Sequence, residues 1–166
     1  MTKTKKLALA GVLVAIGVLG STFHIPLGAA RLSPVQHLVN VLAGVFLGPW
    51  YALGAAFATS VLRVSLGLGS LLAFPGSMCG AFLCGFLYGK TEKMAWAFWG
   101  EVLGTGLLGA LLAYPVAQLF LGKTMALTVL VPSFGLSTLA GAGISVLFLQ
   151  ALAKTDTLKR MQKEAE

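Results

Sequence analysis

The segment Lys6-Leu7-Ala8-Leu9-Ala10-Gly11-Val12-Leu13-Val14-Ala15-Ile16-Gly17-Val18-Leu19-Gly20 decides how the chain is to be read. After Lys6 no charged residue occurs before Arg31, and a helix of about 20 mostly apolar residues crosses a bilayer. Lys3, Lys5 and Lys6 ahead of it, with Gly20 and Ser21 behind, imitate a signal peptide. The chain downstream is equally apolar, so the segment reads as a first span. Charge-free stretches recur from Arg31 to Arg63, Arg63 to Lys90, Glu101 to Lys123 and Lys123 to Lys154. The 166 residues are 57% hydrophobic and 10% charged, where soluble domains carry about 25% charged residues. This is the composition of an integral membrane protein.

Working outward from the first span, the breaks between apolar runs predict an all-α membrane protein: six transmembrane helices in a single domain, 1–166. The spans are expected at about 7–23, 35–47, 51–66, 74–89, 95–114 and 133–153, with a polar tail over 154–166. His24-Ile25-Pro26-Leu27-Gly28 and Gly48-Pro49 are turn sequences. Tyr114-Pro115 is expected to interrupt the fifth span, leaving 115–132 as a connection. Nine basic residues (Lys3, Lys5, Lys6, Lys90, Lys93, Lys154, Lys159, Arg160, Lys163) fall on one side of this topology and Arg31, Arg63 and Lys123 on the other or within the membrane. The positive-inside rule therefore predicts both termini in the cytoplasm. Long outer loops over short inner turns predict a cavity opening outward.

Small residues at every fourth position mark close helix packing, because lipid supplies no hydrophobic drive for association. Such strips are Ala52/Ala56/Ser60, Ser77/Ala81/Gly85/Gly89 with Gly76 and Gly80 beside it, Thr105/Gly109/Ala113, and Ser137/Gly141/Ser145. Gly11 and Ala15 form a shorter one on the first helix, a candidate docking face for a second membrane protein.

The residues argue against several chemistries. Cys79 and Cys84 lie in an apolar run and do not make a disulfide scaffold or a C-x-x-C pair. His24 and His37 lack ligand spacing, so no metal is expected. A Walker A sequence is missing, paired carboxylates are missing, and no basic face carries interleaved aromatics. Neither catalysis, a resident cofactor nor nucleic-acid binding is expected. What remains are polar groups inside spans, each costing at least about 2.5 kcal/mol when ionised at the helix centre. Glu101 is read as a ligand acceptor, a buried hydrogen-bond acceptor or an inner-face hook for a partner. Arg63 either snorkels to the outer surface or faces a ligand. Gln36, His37 and Asn40 share one helix face at i, i+3 and i+4 spacing. They either orient a small ligand or bond neighbouring helices. Phe74 and Tyr114, each beside a proline, can stack on a flat ring or pack; Ser77, Thr105 and Ser137 complete the candidate substrate-binding set.

Four segments, Pro34-Val35-Gln36-His37-Leu38-Val39-Asn40-Val41, Leu47-Gly48-Pro49-Trp50-Tyr51, Gly67 to Met78 with its Ala73-Phe74-Pro75-Gly76-Ser77 core, and Gly100-Glu101-Val102-Leu103-Gly104-Thr105-Gly106, carry a resemblance. The chain resembles the substrate-binding S components of energy-coupling factor (ECF) vitamin transporters, most closely the ThiW type. The resemblance implies a six-helix bundle with an outward pocket built from the first outer loop and the outer parts of helices four to six. It implies capture of hydroxyethylthiazole, the thiazole precursor of thiamine, in a bacterial-type plasma membrane. It also implies a membrane T component and two cytoplasmic ATPase subunits, which use the ATP. The family's small-residue docking motif in the first helix corresponds here to Gly11-Val12-Leu13-Val14-Ala15, with glycine in place of the first alanine. Alternatives are an S component for another precursor, such as the thiamine pyrimidine moiety, or a small membrane enzyme or channel.

Overall fold

The computed structural model describes residues 2–23, 25–27, 30–122 and 126–154. Six helices are present among them: α1 Lys3–Gly20, α2 Pro34–Leu47, α3 Pro49–Ser65, α4 Ala73–Thr91, α5 Met94–Leu121 and α6 Leu127–Lys154. Between α1 and α2 lies a short antiparallel hairpin, β1 Ile25–Leu27 and β2 Ala30–Leu32, with Pro26 opposite Arg31. Apart from Lys154, the polar tail lies outside the described residues, as do His24 and Lys123.

The helix ends follow local chemistry. Pro34 and Pro49 each open a helix, where a missing N–H costs nothing. Gly48 sits between α2 and α3 at φ 81°, a left-handed conformation that glycine adopts without steric cost. It reverses the chain in a single residue.

Two sequence expectations are corrected. The fifth helix is not interrupted at Tyr114-Pro115 but runs on to Leu121, and the sixth starts at Leu127 with Pro132 inside it. Each proline removes one backbone hydrogen bond, whereas unwinding the apolar turns around it would strand many backbone groups without water. Most of the connection expected over 115–132 is therefore helical.

The α4–α5 contact is the tightest in the bundle. Added Cβ atoms at Gly100, Gly104 and Gly109 would lie 2.7 Å from Cys84 Cα, 2.6 Å from Gly80 Cα and 2.4 Å from Gly76 Cα. These glycines are spaced by four and then five residues. Residues Val102–Gly109 are wound as a π-helix, and the extra residue per turn keeps Gly109 on the face of Gly104. Of the strip expected from fourth-residue spacing, Thr105/Gly109/Ala113, all three are buried, but only Gly109 lies on the line of backbone contact.

Helix α2 is the centre of the bundle, with ten of its fourteen residues buried. Val39, Val41, Ala43, Val45, Phe46 and Leu47 pack with Leu13, Ala52, Ala56, Ala81, Cys84 and Leu149 into one core. Fourteen residues rise only about 21 Å, half the roughly 42 Å of the 28-residue α5. The central helix is thus too short to fill the bundle. Outward, the bundle presents Val12, Ile16, Leu19, Phe57, Leu103, Leu107, Leu111, Leu139, Ile144, Leu147 and Phe148 to its surroundings. So much exposed apolar surface is foreign to a soluble monomer. Two helices, within Met94–Leu121 and Leu127–Leu152, are long and apolar enough to cross a membrane by length and composition.

Candidate solute-binding site

Above the truncated start of α2 the bundle encloses a cavity of about 670 Å³. It lies at the end opposite the start of α1 and the end of α6. Its walls come from every helix: Ser21 after α1, Ser33, Gln36 and His37 at α2, Arg63 on α3, Gly67–Ser70 in the α3–α4 connection, Gly76 and Ser77 on α4, Thr105 and Leu121 on α5, and Val129, Leu130, Ser133, Phe134 and Ser137 on α6. The volume lies within the range of small-molecule pockets. Compared with the pocket implied by the family resemblance, this one also draws on α1, α2 and α3.

Beneath the floor runs a continuous hydrogen-bonded chain. At the rim, Arg63 Nη1 donates to Gln36 Oε1 at 2.6 Å, and Gln36 Nε2 donates to Asn40 Oδ1 at 3.2 Å. Asn40 Nδ2 donates to Glu101 Oε1 at 3.0 Å and to the Ser77 carbonyl at 3.3 Å. The same Glu101 oxygen lies 2.8 Å from His37 Nδ1, and His37 Nε2 lies 3.0 Å from Ser137 Oγ. The chain descends from the cavity to a fully buried carboxylate and returns to the cavity wall. Thr105 Oγ1 is 3.0 Å from both Glu101 Oε1 and the Gly76 carbonyl, so its one proton serves one acceptor at a time. Ser60 and Ser77 hydroxyls join at 2.9 Å.

Backbone proximity makes this network possible. An added Cβ on Gly80 would sit 2.0 Å from Thr105 Oγ1 and 2.5 Å from Glu101 Oε2. Only a glycine leaves room there for a carboxylate and a hydroxyl between two helices. An added Cβ on Gly141 would lie 2.7 Å from His37 Cβ, so α6 presses the imidazole into place. Glu101 Oε2 has no hydrogen-bond partner among the described residues.

Of the ten sequence candidates, Gln36, His37, Arg63, Ser77, Thr105 and Ser137 line the cavity. Asn40 and Glu101 lie one layer below and do not line it. Phe74 and Tyr114 lie elsewhere: Phe74 packs edge-on against Phe57 at 5.8 Å, and Tyr114 accepts a hydrogen bond from Gln118. The aromatic ring that does line the cavity is Phe134, which the sequence reading passed over; its signal was Pro132-Ser133 just before it. Arg63 does not snorkel outward, being only 6% exposed. On α1, Gly11 and Ala15 face outward, with nothing within 4 Å of an added Cβ on Gly11.

A helical bundle with an apolar exterior and a closed-floored polar cavity at one end is the architecture of a membrane protein that handles a small solute. A family model described as thiamine-precursor transporter protein (ThiW) matches residues 7–155. The chain belongs to this ThiW family of transporters. No curated protein matches the chain.

Proposed function

We propose that the chain is the substrate-binding S component of an ECF-type importer and captures hydroxyethylthiazole from outside a bacterial-type plasma membrane. The observation that carries this reading is the cavity at the end of the bundle opposite Lys6 and Lys90. Lys6 lies 5.7 Å from the centre of the Tyr51 ring, which sets the start of α1 beside the start of α3; Lys90 lies at the same end, in the last turn of α4. With that basic end in the cytoplasm, the cavity opens outward.

Hydroxyethylthiazole is a small flat ring with a nitrogen acceptor and a hydroxyl. Phe134 offers a face for the ring, and His37, Ser137 and Thr105 offer hydrogen bonds to the two polar atoms. Glu101, itself held by Asn40, bonds His37 from behind. The chain binds and releases; it needs no cofactor of its own. Energy comes from two cytoplasmic ATPases acting through a membrane T component, for which the outward strip of Gly11 and Ala15 on α1 is the docking face.

The test is uptake of labelled hydroxyethylthiazole into cells expressing the chain with and without a T component and its ATPases. ATP-dependent uptake requiring all components, reduced by Gly11→Leu without loss of thiazole binding, is expected. Uptake of the pyrimidine precursor instead, or uptake that ignores the partners, would contradict the reading.

A further inference from the structure

The cavity wall carries a cation that touches no carboxylate among the described residues. Arg63 is 6% exposed and lines the wall. Its guanidinium carries five N–H donors. Nη1 reaches Gln36, Nη2 reaches Ser33 Oγ at 3.5 Å, and Nε has no partner. Among the described residues the one ion pair is His37–Glu101, and Glu92 lies at the other end of the bundle. Among the described residues, therefore, no carboxylate is in contact with Arg63. Its place in the last turn of α3 sets it against the negative end of the helix dipole, which makes the buried cation tolerable without cancelling it. Gly69 backs onto the side chain, and a Cβ there would lie 3.1 Å from Arg63 Cβ. The carboxylate nearest the cavity, Glu101, lies one layer below it and reaches Arg63 only through Asn40 and Gln36.

Resting on the reading of this cavity as the solute site, we propose that Arg63 is a specificity-determining residue that acts as a charge filter. It admits neutral or anionic rings bearing hydrogen-bond acceptors and turns away cationic ones. A thiazole and an N-alkylated thiazolium differ in the two properties that this site reads. The neutral ring has a nitrogen lone pair that can accept from a donor on the wall. The thiazolium has lost that lone pair and carries a positive charge beside a guanidinium that no carboxylate contacts. Discrimination through a repulsive element of this kind separates compounds of nearly identical shape. A precursor with a free ring nitrogen is thereby distinguished from any product in which that nitrogen is quaternised.

The experiment titrates the full-length purified chain with three probes: hydroxyethylthiazole, its N-methylthiazolium salt and its phosphate monoester. The neutral probe is expected to bind more tightly than the thiazolium by roughly tenfold or more, the scale of like-charge repulsion at an effective dielectric near 20. Arg63→Gln is expected to bring the two within a few-fold, and Arg63→Lys to keep the preference. Thiazolium binding to the unaltered chain within a few-fold of the thiazole overturns the filter while leaving the thiazole reading intact. So does a preference that survives in Arg63→Gln shown by melting to be folded. Should that variant not fold, Arg63→Met, which removes the same charge, takes its place with the same two outcomes. Binding of the phosphate ester alone supports the filter and removes hydroxyethylthiazole as the ligand. Binding of none of the three overturns both.

Discussion

Glu101 concentrates the physics of the site in one oxygen. His37 Nδ1, Asn40 Nδ2 and Thr105 Oγ1 all lie within 3.0 Å of Oε1, on three different helix positions that this acceptor ties together. Removing it leaves buried donors unpaired, so Glu101→Ala is expected to cost on the order of 2–4 kcal/mol, read as a lower melting temperature in detergent. Glu101→Gln keeps an acceptor oxygen and is expected to fold. Because Glu101 does not line the cavity, that variant should weaken thiazole binding by less than about tenfold, through the loosened imidazole alone. Abolished binding with unchanged melting would instead place the carboxylate on the ligand. The shared face of Gln36, His37 and Asn40 was legible from their spacing. Their meeting with Glu101 was not, because the polar start of the short second span was expected at the outer side and Glu101 near the inner face. As a helix of 14 residues it stops inside the bundle, at the depth of Glu101.

At the scale of elements, the π-wound stretch of α5 reconciles an irregular glycine spacing with a flat helix contact. Gly100, Gly104 and Gly109 meet α4 backbone within 2.7 Å of where a Cβ would be, so none has a flexible neighbour able to yield. Gly104→Ala is expected to destabilise the bundle by about 1–3 kcal/mol or more, since overpacking here must move main chain. Deleting Leu108 converts the spacing to four and four. The chain is then expected to wind as ordinary α-helix, with the three glycines still aligned and the protein still monodisperse. Deleting Leu112, outside the π segment, rotates everything beyond it by about 100° and is expected to give an aggregated product. Equal behaviour of the two deletions would contradict this account. The helix count and most boundaries were legible from charge-free runs and Gly/Pro breaks. The π winding and the continuation through Pro115 were not, because fourth-residue spacing presumes α geometry and water-based rules overstate what proline does in lipid.

For the whole molecule, the length mismatch between α2 and its neighbours accounts for the cavity. Long outer helices wall a space that a short, buried central helix leaves open, and polar residues at the start of α2 become its floor. The apolar exterior was legible in the sequence; which aromatic ring faces inward was not, since Phe74, Tyr114 and Phe134 all sit near prolines and only packing tells them apart. Calorimetric titration of the purified chain, free of copurified ligand, with hydroxyethylthiazole shows whether this cavity takes the thiazole, with Phe134→Ala and Tyr114→Ala in parallel. One-to-one binding, weakened by roughly tenfold or more in Phe134→Ala and unchanged in Tyr114→Ala, is predicted. Absence of binding by folded protein, or binding lost in Tyr114→Ala and indifferent to Phe134→Ala, would contradict it.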